Sequence, residues 1–274
     1  MNAYNCMIQD NVDGLLEALE NENLSQKELF FLLESAMCYK KDWAWPHLLR
    51  LITAPPLDLL YFPIVYRNKE CFDTLFNTID WKAVPENITH DLIKRCATQD
   101  DTYGFFKFSQ FVPIHPCSNI VSVVVMRNNT EILSHILSHV VLDGNQQRES
   151  VIKAIQMGYD TCLDVLAPHL TGLTFNHRDI HDMMRGNKVN VDLLQKISGY
   201  FTKNNFTTML HLACVEENED VAEFAFPHAQ VSKVLKKLDG PPPAILQEHL
   251  NRVQNKRILQ KIKAKPSTVS ARKM

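Results

Sequence analysis

"TTMLHLACVEENEDVAEFAF", residues 207–226, contains a short apolar run with small residues, a charged turn and a second apolar run. With Glu217 as the turn position, the small residues Ala213 and Cys214 stand four and three places before it. Val221 and Ala225 stand four and eight places after it. Apolar residues at these offsets share one face of a helix on each side of the turn, so the segment predicts a helix, a turn and a second helix.

The same ruler fits along the chain. Turn positions at Asp10, Lys41, Asn68, Asp100, Asn128, Gly158, Asn187 and Glu217 are 27 to 32 residues apart. The pair four and three places before each turn is apolar throughout, from Cys6-Met7 and Met37-Cys38 to Met183-Met184 and Ala213-Cys214. A self-similar period near 30 predicts stacked helical hairpins. One hairpin cannot cover its own apolar face, whereas neighbours stacked side by side make a continuous core. The chain has only 8 glycines in 274 residues, which suits helices better than a many-turned β-sandwich.

The segment 208–225 resembles the ankyrin repeat, whose first helix opens T-P-L-H-x-A. Thr208, Leu210, His211 and Ala213 fall on those positions, and Met209 stands where the family has proline. "AIQMGYDTCLDVLA" (154–167), "VMRNNTEILSHIL" (125–137) and "IHDMMRGN" (180–187) resemble it more weakly. The resemblance implies an all-α, ankyrin-like solenoid of about seven or eight degenerate helix-turn-helix repeats over residues 1–238. Thr208 is expected to cap the first helix, Leu210 to face the core, His211 to hydrogen-bond backbone near the next turn, and Ala213 to allow close helix approach. A different α-solenoid remains an alternative. Repeats two and four, containing "DWAWPHLL" (42–49) and "TQDDTYGFFKF" (98–108), fit the pattern least well.

"LDGPPPAI" (238–245) ends the array, because three consecutive prolines cannot continue a helix. Residues 239–243 read as a linker and 244–274 as a basic helix with a flexible end. Leu246, Leu250 and Val253 share one face and are expected to dock on the last repeat, whereas Ile258, Leu259 and Ile262 lie on nearly the opposite side. From Ala229 onward there are 11 Lys/Arg against 2 Asp/Glu, so an acidic body carries a basic tail under a net charge of −2. Lys256, Arg257, Lys261, Lys263 and Lys265 could bind nucleic acid or acidic lipid, act in nuclear import, or be a solvated helix face. No aromatic residue follows Phe226, which argues against base stacking by the tail.

No apolar stretch reaches the roughly 20 residues needed to span a bilayer, and the N-terminus lacks the pattern of a secretory signal. The seven cysteines are widely spaced and form no C-x-x-C pair, so free thiols in a reducing cytoplasm are expected. No phosphate loop, H-E-x-x-H or G-x-S-x-G occurs. His135/His139 and His177/His181 have i, i+4 spacing that could hold a metal, but they read as a polar helix edge and as repeat histidines.

The expected function is therefore non-enzymatic protein–protein interaction, by a monomer needing neither cofactor nor metal. Trp43, Trp45, Trp81, Tyr103 and Phe105 are the candidate partner-binding residues, because the resemblance places turns and helix starts on the concave side. Divergent arrays of this type resemble host-directed effectors of intracellular bacteria and large DNA viruses, which would place the protein inside a host cell with a host protein as its partner. The alternatives are a nuclear or nucleic-acid adaptor acting through the tail, and a metal- or cysteine-dependent enzyme on a helical scaffold.

Overall fold

A computed structural model describes residues 2–111, 120–185, 191–238, 243–244 and 246–252. The described residues form helices and no strand, so the chain is all-α. It divides into two compact units, Met1–Val140 and Val141–Met274.

In the first unit, α1 (Ala3–Ile8) pairs with α2 (Val12–Asn21), and α3 (Gln26–Cys38) pairs with α4 (Trp45–Leu49). A bent helix follows, α5 (Pro56–Leu59) and α6 (Tyr61–Tyr66), and α6 pairs with α7 (Lys69–Phe76). The bend lies just before Pro63, which has no N–H to return to the preceding turn. Two further hairpins complete the unit: α8 (Glu86–Gln99) with α9 (Thr102–Ser109), and α10 (Ile120–Met126) with α11 (Thr130–His139). The second unit contains α12 (Gly144–Met157) with α13 (Asp160–Leu166), then α14 (His177–Met184) and α15 (Val191–Lys196). It continues with α16 (Lys203–Val215), α17 (Glu219–Ala225) and α18 (Val231–Lys237).

Within each unit the first helices of successive hairpins pack on one another. The order is α1, α3, α6, α8, α10 in one unit and α12, α14, α16 in the other, where α18 packs on α16. The second helices α7, α9 and α11, and α13, α15 and α17, pack in the same way. The residues this buries recur at helical spacing, for example Ile180, Met183 and Met184 on α14 and Met209, Leu210 and Ala213 on α16.

One turn joins the two helices of a hairpin, and it occurs seven times among the described residues; the expected turn at Asn187 lies outside them. Asp10, Lys40, Arg67, Asp100, Asn128, Gly158 and Glu217 all have positive φ, between 55° and 72°. The N–H of the following residue bonds the carbonyl five places earlier, as in Asn11 to Cys6, Asn68 to Pro63, Asn129 to Val124 and Asn218 to Ala213. This closes the first helix as a Schellman turn. In five of the seven turns that same following residue opens the second helix with its side chain. Asn11, Asn68, Asp101, Asn129 and Asn218 accept the N–H of Gly14, Cys71, Gly104, Ile132 and Val221. One residue thus satisfies an orphan carbonyl with its backbone and an orphan donor with its side chain. Two expected turn positions shift by one: the left-handed residues are Lys40 and Arg67, and Asn68 is the cap that follows.

The first helices begin with a second device. Ser25/Glu28, Asp143/Gln146, Asn176/Asp179 and Thr202/Asn205 form capping boxes at the starts of α3, α12, α14 and α16. This corrects the role expected of Thr208. The cap of α16 is Thr202, and Thr208 lies inside the helix, because the Thr202–Asn205 box starts it six residues earlier. Leu210 and Ala213 are fully buried, as expected of core positions.

The end of the described chain packs on the last helices. Leu246 is buried, His249 stacks on Phe226 at 4.8 Å, and Arg252 lies 3.8 Å from Glu223. Leu250 is half-buried on the same face. Most of the expected 239–243 linker, Val253 and the tail residues Lys256, Arg257, Lys261, Lys263 and Lys265 lie outside the described residues.

Candidate interaction surface

The five predicted partner-binding aromatics sit on or beside second helices, and their rings are mostly committed to internal contacts. Phe105 is fully buried and Trp45 is 6% exposed, so both belong to the core and neither presents a ring to a partner. Their local sequences are turn-like, but each lies on the inward face of its helix. Trp81 belongs to an aromatic knot with Phe72, Phe76 and Phe108, 4.6 Å from Phe76 and 5.3 Å from Phe108, and its indole N–H donates to the Phe76 carbonyl.

Trp43 and Tyr103 are half-buried and tie neighbouring hairpins together. The Trp43 indole N–H donates to Asp10 at 3.1 Å, beside the Lys41–Asp10 ion pair at 2.7 Å. These two hydrogen bonds, that of Lys41 first, hold the Asp10 carboxyl below its ordinary value. The Tyr103 hydroxyl donates to Asp73 at 2.6 Å, and Lys69 and Lys107 lie over its ring at 5.1 and 5.4 Å. The hydrogen bond to Asp73 raises the phenol's pKa.

The Asp10 contacts begin a ladder along the turn edge of the first unit. Asn68 donates to Asp42 at 2.8 Å, and Arg67 donates to the Gln99 carbonyl and to Asp100. Asn129 then donates to Asp100 at 2.7 Å and to Thr102 at 2.8 Å. Each rung joins residues 26 to 33 apart, so the ladder follows the repeat from hairpin to hairpin.

A different aromatic row is open, and it lies on the first helices. Tyr4 on α1 packs on Phe31 of α3 at 5.6 Å, and Phe30 meets Phe62 of α6 at 6.0 Å. Tyr61 adjoins Phe62, and the Arg95 guanidinium of α8 lies 5.2 Å from the Tyr61 ring. Phe31, Tyr39 and Tyr61 are 56%, 54% and 43% exposed. The Tyr66 hydroxyl donates to Glu34, which links α6 to α3 on the same side. A signal for this row was present in the sequence: Tyr4 and Tyr61 each stand six places before a left-handed turn residue, the offset at which His211 precedes Glu217.

In the second unit the corresponding helices carry histidines. His177 and His181 are 4.5 Å apart on α14, and His211 on α16 is half-buried and close enough for its charge to act on His177. Burial, then His181, Lys237 and His211, lower the His177 pKa. In the first unit His135 meets Phe106 edge-on at 4.9 Å, and His139 Nδ1 lies 2.9 Å from the His135 carbonyl oxygen. Among the described residues, no three His, Cys, Asp or Glu side chains converge as a metal site.

Five of the six described cysteines are buried, and Cys38 is exposed. Burial pushes the Cys71 thiol up to about 12 and the Cys162 thiol up to about 11, so both stay protonated and are poor nucleophiles. No helix among the described residues is long and apolar enough to cross a membrane. Compared with protein-family models, with curated proteins and with solved structures, the chain matches none.

Proposed function

We propose that this chain is an ankyrin-like repeat module that binds a protein partner on the open face of its first helices and does not transform it. The observation that carries the reading is the aromatic row Tyr4, Phe31, Tyr39 and Tyr61, which crosses α1, α3 and α6 with three of its rings largely exposed. Tyrosine and phenylalanine offer large contact areas with few rotatable bonds to freeze, which suits them to an interface centre. The ankyrin-like reading is supported by the recurring left-handed turn, by the near-constant spacing and by the nearest-neighbour packing of first helix on first helix. The acidic body favours a partner with a basic rim.

The test is affinity capture from lysate of the cells in which the protein acts, comparing the native chain with a Phe31→Ser/Tyr39→Ser/Tyr61→Ser variant. A partner enriched by the native chain and lost from the variant, with unchanged helical circular dichroism, supports the reading. Recovery of the same proteins by both chains overturns it. Delivery into a host cell rests on the resemblance and on the basic C-terminal end. A reporter fused to residues 229–274 that fails to relocalise would remove that part alone.

A further inference from the structure

A polar cleft of about 410 Å³ opens between α14, α16 and α18 in the second unit. Three of its lining groups can carry positive charge, His177 from α14 and Lys233 and Lys237 from α18, and among the described residues no carboxylate lines it. Both lysines are exposed, and neither makes an ion pair among the described residues. Such a site stands out in a body that is acidic overall.

The remaining lining is rich in hydrogen-bonding groups. Thr202, Asn204 and Asn205 belong to the opening turn of α16, and Asn176 and His177 to that of α14. Asn205 is fully engaged, accepting from Thr202 and donating to the Phe175 carbonyl. Thr207 is engaged too, donating to the Lys203 carbonyl and accepting from the Gln230 N–H. Thr208 differs. It lines the cleft, is only 7% exposed, and its hydroxyl has no hydrogen-bond partner among the described residues. Its oxygen is not among the buried unpaired polar atoms, so it faces the cleft, where solvent or a bound group can complete its hydrogen bonds.

We propose that this cleft binds a phosphate monoester dianion, held between Lys233 and Lys237 with Thr208 and Asn204 as hydrogen-bond donors. Two ammoniums match a doubly charged tetrahedral group, while the first N–H groups of α14 and α16 are taken by their own capping boxes. A phosphate monoester brings three oxygens and two charges, against two oxygens and one charge for a carboxylate, so it can serve both ammoniums as well as the hydroxyl and the amide. The inference goes beyond the interaction reading, because it concerns a different face, another unit and a defined chemical group.

The test is titration of the ¹⁵N-labelled full chain, followed by NMR, with inorganic phosphate, free O-phosphoserine, and a short peptide bearing phosphoserine or unmodified serine. Saturable shifts at Asn204, Thr208 and Lys237 with the phosphorylated probes, absent with the unmodified peptide, are expected. Lys237→Gln and Lys233→Gln should each weaken binding about tenfold. Thr208→Val should weaken it about fivefold, and Thr208→Ser, which keeps the hydroxyl, should not. Tighter binding of the phosphopeptide than of free phosphoserine assigns the group to a modified protein. Equal binding assigns it to a small phosphorylated molecule, and both outcomes support the site. No saturable shift at these residues, or equal affinity in the lysine variants, overturns the proposal. Either result leaves the aromatic-face variant of the first unit as a separate test.

Discussion

The two units use the same hairpin but differ in how deeply the side chains that join neighbouring hairpins are buried. In the first unit the ties run along the turn edge as charged and amide side chains, from Asp10–Lys41 through Asp42–Asn68 to Asp100–Asn129. The second unit also has such ties, Lys196 to Asp160 and Asp164 and Gln156 to the Asp182 carbonyl, and it adds buried ones at the opposite end of the hairpins, where side chains hold loop backbone. Gln147, 2% exposed, donates to the Leu142 carbonyl and accepts the Thr171 N–H. Asn205 donates to the Phe175 carbonyl, and the Tyr200 hydroxyl donates to that of Leu170. The outward faces differ as well: aromatic rings in one unit, histidines and lysines in the other. Burial of the apolar stripe and satisfaction of every helix end are obligatory, whereas the residues that join one hairpin to the next are free to vary.

The largest effect is expected in the aromatic knot. Phe72→Ala removes a fully buried ring that contacts Phe76, Tyr103 and Phe108, and should destabilise the first unit by about 3–5 kcal/mol. Scanning calorimetry should show this as an early transition while the second unit still melts near its native temperature. A single transition shifted as a whole would show that the units unfold together.

Gln147→Ala comes next. It leaves the buried Leu142 carbonyl and the part-buried Thr171 N–H without their partner, and a loss of about 1–3 kcal/mol is expected in urea denaturation. Gln26 makes the same clamp in the first unit, to the Leu51 carbonyl and the Thr53 N–H, but is exposed. Gln26→Ala should therefore cost under about 1 kcal/mol, since water replaces the lost bonds. Equal costs at the two positions would break the contrast between a buried and a solvated clamp.

Two turn substitutions should stabilise the chain. Lys40 and Glu217 hold φ at 55° with side chains in solvent. Glycine relieves the left-handed strain of about 1–2 kcal/mol but loses more backbone entropy on folding, so Lys40→Gly and Glu217→Gly should each gain about 0.5–1 kcal/mol. Thermal melts would register each as a rise of a few degrees at most.

The smallest effect is a pH slope. Asp101 is the only carboxylate among the five capping residues that follow left-handed turns, and it is buried. Burial raises its pKa above the unfolded value. The sign follows by linkage: its favourable contribution is fully present below the unfolded pKa and is lost as pH rises through the folded one. Asp101→Asn keeps the cap on Gly104 and should flatten that part of the stability profile, with the gain appearing at neutral pH. Parallel profiles for the two proteins between pH 3 and pH 7 would contradict it.

Much of the hairpin could be read directly. The turn at Glu217 and its counterparts at Asp10, Asp100, Asn128 and Gly158 lie where the ruler placed them, because a left-handed cap and the small residues before it leave a local imprint. Repeat four, which fitted the pattern poorly as sequence, forms a regular hairpin closed at Asp100 and capped by Asp101. Repeat two was harder to read, and its second helix, α4, is short. The candidate site was less legible. Trp45 and Phe105 were chosen by residue type, and their facing was decided by packing. Thr208 matched a family position yet lies inside a helix begun six residues earlier by Thr202.

The sequence by itself determined the helical class, the period and the chemistry of the turns, since each depends on contacts within about a dozen residues. Only the tertiary structure decided which rings stay open, which amide clamps which loop, and that two lysines, a histidine and an unpartnered threonine share one cleft. Those groups come from hairpins about 30 residues apart, and no local pattern records which side chains stacking will bring together or leave in water.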